Sequence, residues 1–61
     1  MVRTFRVESA ANVRGKANFK AQEVGGATKV SGIFDGNLGR GDLLTGKPEN
    51  GVLKSARKAK A

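Results

Sequence analysis

The chain has 61 residues, and its 12 Lys and Arg against 5 Asp and Glu leave a net charge of +7. It holds no Cys and no His, so disulfides, thiolate zinc sites, the commonest general base and the commonest transition-metal ligand are all missing. That length allows one small, marginally stable domain, and the expectation is a protein that is not an enzyme and carries no metal or cofactor.

The first segment, Val2 to Glu8, alternates with a period of two, placing Phe5 and Val7 on one face and Thr4, Arg6 and Glu8 on the other. A loop is expected around Ala10, Asn12 and Arg14-Gly15. Lys16 to Val24 and Ala27 to Phe34 then flank Gly25-Gly26, a pair that suits a two-residue hairpin because glycine accepts positive φ. That turn sets Val24 opposite Ala27, Ala21 opposite Val30, Phe19 opposite Gly32 and Ala17 opposite Phe34. The six residues of the last three pairs fall on one apolar face, with Phe19 covering the gap left by Gly32. The reverse face carries Lys16, Asn18, Lys20 and Gln22 against Lys29, Ser31 and Ile33.

Asp35-Gly36 predicts a further hairpin pairing Ile33 with Leu38 and Lys29 with Asp42, although Gly39 and Gly41 weaken that strand. Lys47-Pro48-Glu49-Asn50-Gly51 predicts a turn, since Pro presets one φ and Asn-Gly supplies positive ones. Residues 51–61 fit a final strand, a short helix or an extended tail. The fold expected is all-β: a small antiparallel meander of three to five short strands over residues 1–50, able to curl into a barrel, followed by a basic C-terminal segment, 51–61.

The short motifs carry little chemistry. Gly41 to Lys47 matches the first seven positions of a phosphate-binding P-loop, but Pro48 stands where a magnesium-binding Ser or Thr is required. Arg40-Gly41-Asp42 is the tripeptide that integrins recognise, yet three residues recur by chance. The acids Glu8, Glu23, Asp35, Asp42 and Glu49 are scattered singly, so no carboxylate pair for acid–base chemistry or a divalent ion is implied.

Charge is the more telling signal. Residues 1–50 hold eight basic and five acidic groups, whereas residues 51–61 hold Lys54, Arg57, Lys58 and Lys60 without an acid. A basic surface favours polyanionic partners. Lys16, Lys20 and Lys29 share a face, and the C-terminal segment adds Val52 and Leu53 as apolar anchors beside its cations. These nine residues are the candidate partner-binding set, toward either protein or phosphate.

Three Phe, all placed toward the core, and no Tyr or Trp leave no stacking platform for single-stranded nucleic acid. The first expectation is therefore a small non-catalytic structural or accessory protein that docks onto and stabilises a larger assembly, such as a virus particle. A small basic nucleic-acid-binding or ribonucleoprotein component is the alternative. An adaptor or inhibitor masking an acidic protein surface is the third. No stretch approaches the roughly 20 apolar residues of a membrane span, and no apolar signal core is visible. A soluble protein made in the cytoplasm is expected, with no small-molecule substrate.

Overall fold

A computed structural model describes residues 2–59. The protein is all-β, with five strands: β1 (Arg3–Val13), β2 (Lys16–Glu23), β3 (Lys29–Phe34), β4 (Leu43–Glu49) and β5 (Val52–Ala59). They close into a barrel in the order β1-β2-β3-β5-β4. Every neighbouring pair is antiparallel except β3 and β5, which run parallel and meet at the single pair Ser31 and Val52. Among the described residues no helix is long and apolar enough to cross a membrane.

The expected pairing of β2 with β3 is present, with Ala21 opposite Val30, Phe19 opposite Gly32 and Ala17 opposite Phe34. The turn differs from the two-residue form. Gly25 takes φ +80° in a four-residue turn closed by the Gly26 N–H donating to the Glu23 carbonyl at 3.2 Å, the geometry that demands glycine at its third position. The Val24 N–H donates to Thr4 O on β1 at 3.0 Å, so Val24 is drawn out of the hairpin and stands 47% exposed. Register survives because the Glu23 N–H still donates to Thr28 O, at 2.8 Å.

Two more boundaries move. The loop expected around Ala10 and Asn12 is strand: β1 continues to Val13 and turns on Arg14-Gly15, both at positive φ, a two-residue connection. Its alternation is rescued by a bulge between Val7 and Ser9, which shifts the inward positions from Val7 to Ala10. Bulges also raise local twist, which closing so small a sheet requires. Further on, Lys47 to Glu49 belong to β4, and only Asn50 and Gly51, at φ 50° and 79°, form the turn. A two-residue loop makes Glu49 and Val52 the hydrogen-bonded closing pair, so Pro48 takes the next position, where a ladder needs no N–H.

The Asp35-Gly36 hairpin does not form. Residues 35–42 are a loop instead, and Asp42 pairs with Lys58 (3.9 Å) and accepts from Gly39 N–H (2.8 Å), not with Lys29. Glycine-diluted strand loses here to plugging: Leu38 drops into the barrel end as core. The core comprises Phe5, Val7, Ala17, Phe19, Ala21, Val30, Leu38, Leu44 and Leu53, with Ala10, Phe34 and Ala56 packed against it. Small and large residues alternate along β2, which suits the narrow interior of a five-stranded barrel. Residues 52–59 are the strand that completes this core, and Lys60 lies outside the described residues.

Candidate functional site

A closed barrel sends every second residue outward, so its surface is set by register. Across β1, β2 and β3 the outward positions form rows. Arg6 faces Gln22, which faces Lys29; Ser9 faces Lys20, which faces Ser31; Ala11 faces Asn18, which faces Ile33; Val13 faces Lys16 at the turn. Lys16, Lys20 and Lys29 are thereby brought onto one sheet face, each exposed. Arg6 completes the group. It went unmarked in the sequence because its place beside Gln22 depends on the β1–β2 pairing, although the alternation with Phe5 and Val7 already put it outside the core.

Within these rows Lys20 and Lys29 are diagonal neighbours across the ladder, where Cα atoms lie about 7–8 Å apart. That separation is close to the spacing of successive phosphates along a strand. A shallow groove crosses the face beside Lys20, lined by Ser9, Ala11, Asn18, Ser31 and Gly32. A second depression opens at the barrel end between Arg6, Gln22 and the Arg40-Gly41 loop.

The C-terminal candidates separate. Leu53 is 6% exposed and packs in the core, while Val52 is 39% exposed beside Ser31. Lys54 and Arg57 point outward from β5, facing Lys47 and Thr45 of β4. Lys58 lies across from buried Leu44 and reaches Asp42. Lys47 was hidden in the sequence by its assignment to a turn.

Ion pairing hardly touches this charge. Among the described residues the salt bridges are Arg3 with Glu23 at 3.3 Å and Lys58 with Asp42 at 3.9 Å. Arg6, Lys16, Lys20, Lys29, Lys47, Lys54 and Arg57 make none with another described residue. The described residues hold no group of three or more His, Cys, Asp or Glu placed to bind a metal. Phe5 and Phe19 are buried and Phe34 is half-buried, so no aromatic ring stands on the basic face. The P-loop-like fragment is no loop at its decisive end, since Gly46 and Lys47 lie within β4.

Comparison with family models, with curated proteins and with solved structures finds no match to this chain.

Proposed function

We propose that this protein binds nucleic acid through the phosphate backbone, on the outer face of β1, β2 and β3. The observation that carries the reading is the set Arg6, Lys16, Lys20 and Lys29, held exposed on one rigid sheet face and free of ion pairs among the described residues. Their binding energy comes from displacing counterions condensed on the polyanion. Gln22, Asn18, Ser9 and Ser31 stand between the cations and offer hydrogen bonds to phosphate and sugar oxygens. Without an aromatic platform the face grips backbone and reads no bases, so duplexes, with their higher charge density, are the preferred form.

The strand order supports the same reading by analogy. A five-stranded barrel ordered β1-β2-β3-β5-β4 has the connectivity of the Greek-key barrel that, in other proteins, holds oligonucleotides and oligosaccharides against strands 2 and 3.

Docking onto a protein assembly is the second reading, favoured by the exposure of Val52 and of Ile33, which is 66% exposed. It ranks below because Leu53, the best apolar anchor, is spent on the core.

The test is affinity for a duplex as a function of salt. Four phosphate contacts give a slope of log K on log salt of about −3.6, and the triple variant Lys16→Gln, Lys20→Gln, Lys29→Gln makes it shallower and lowers the affinity. Absence of binding at low salt, or binding indifferent to salt, rejects the proposal in favour of docking.

A further inference from the structure

Lys47 and Lys54 sit directly opposite one another on β4 and β5, both exposed. Like charges in that position weaken a sheet. Arg57 stands nearby, across from Thr45, on the same outer surface. Glu49 is the acid of this surface, and it forms no ion pair among the described residues. The β4–β5 surface is thus a second basic patch that works against the stability of its own ladder.

The barrel order fixes where this patch lies. From β2, which carries Lys16 and Lys20, β4 is two steps away through β1, and β5 is two steps away through β3. The β4–β5 ladder is therefore opposite Lys16 and Lys20 of β2 across the barrel, while Arg6 on β1 and Lys29 on β3 stand on the two strands that flank it. The shortest principal extent of the molecule is 16 Å. Screening falls off over about 8 Å at physiological ionic strength, about half that extent, which weakens the repulsion between polyanions held on the two sides.

We propose that the protein is a bridge: Lys47, Lys54 and Arg57 form a second phosphate-binding site, and one monomer joins two nucleic-acid segments on opposite sides of its barrel. This rests on the nucleic-acid reading above and adds a second site to it. A basic protein with a single face coats a strand; one with two opposed faces crosslinks and compacts it.

The experiment uses the full chain with two 30-base-pair duplexes, one immobilised on beads and one fluorescent in solution. The wild type is expected to retain fluorescence on the beads, in proportion to added protein and at a stoichiometry of one monomer per pair of duplexes. Two variants dissect it. Lys47→Gln, Lys54→Gln, Arg57→Gln removes the second patch, and Lys16→Gln, Lys20→Gln, Lys29→Gln reduces the first. Each is expected to bind a single duplex with affinity lowered severalfold, while capture of the second duplex drops at least tenfold. All six side chains are exposed, and a melting curve for each variant verifies that it folds.

Wild-type protein that binds the beads without capturing the second duplex overturns the bridge and leaves the single-face reading standing. A β4–β5 variant that bridges as well as the wild type overturns it too. So does sedimentation showing that the bridging species is a protein dimer. Wild-type protein that binds neither duplex fails the nucleic-acid reading itself, and the bridge with it.

Discussion

Asn12 clasps the backbone of Leu38 with both ends of its side-chain amide: Nδ2 donates to the Leu38 carbonyl and the Leu38 N–H donates to Oδ1, each at 2.9 Å. The amide offers the donor and acceptor that a neighbouring strand would have supplied to this loop. Leu38 is thereby held in the barrel end without a strand around it.

Asn12→Ala should lower stability by about 1–2 kcal/mol, since it strips two part-buried backbone groups of partners. In a domain this small that is a fall in Tm of roughly 10 °C. Asn18→Ala, on the same sheet but with no side-chain hydrogen bond among the described residues, should stay within about 0.5 kcal/mol. Thermal unfolding of the two variants side by side checks the difference, and equal curves would mean that the clasp contributes nothing.

Gly46 has no room for a side chain. A Cβ there would stand 2.7 Å from Lys54 O and 2.9 Å from Leu53 Cδ1. Backbone cannot step aside as a flexible side chain can, so Gly46→Ala should cost at least about 2 kcal/mol. Gly32→Ala meets its nearest atoms, Phe19 Cζ and Leu53 O, at 3.4 and 3.5 Å, and should cost under about 1 kcal/mol. Urea midpoints at unchanged slope are the measurement.

Ser55 lies at φ 54°, where the β4–β5 register slips between Thr45 and Lys47. A left-handed conformation strains a residue with a Cβ by roughly 1–2 kcal/mol, so Ser55→Gly should stabilise by about 1 kcal/mol after its entropic cost. Ser55→Val should destabilise. A Gly variant that melts below the parent would show that the strain at this bulge is smaller than its backbone angle implies.

Lys47→Glu replaces a like-charged cross-strand pair with an opposite one facing Lys54. Stability should rise by about 0.5 kcal/mol while affinity for duplex falls. Denaturation and binding titration on one preparation test both halves, and a variant that gains stability without losing affinity would remove Lys47 from the phosphate-binding set.

What the residues made legible was local. Gly25-Gly26 and the period-two alternation were enough to register Phe19 against Gly32, because turn and pattern bear on the same few residues. The closure of the barrel was not legible. It depends on β1 pairing with both β2 and β4, and a bulge between Val7 and Ser9 broke the alternation through Ala10 and Asn12 that would have disclosed the longer strand. Leu38 was misplaced for a related reason: Asp35-Gly36 is a sound hairpin signal locally, and only the need to plug the barrel end outweighs it. The same limit governed the basic surface. Lys16, Lys20 and Lys29 follow from one hairpin, whereas Arg6 and Lys47 join their neighbours only through β1–β2 and β4–β5 pairing.

The closing strand also dictates the order of folding. The β1–β2 and β4–β5 hairpins, turning on Arg14-Gly15 and Asn50-Gly51, need only short-range contacts and can form within microseconds of emerging. The β1–β4 and β3–β5 seams join distant parts of the chain, so loop-closure entropy makes them the slow step. Because β5 lies between β3 and β4, a nascent chain that ends before it has two open edges and no lid over Val30 or Leu44. The native state is therefore acquired after synthesis of the final strand, in one cooperative closure. Release of Leu53 from the core is therefore coupled to unfolding of the whole barrel, and the ladder amides around it should exchange more slowly than those toward Ala59.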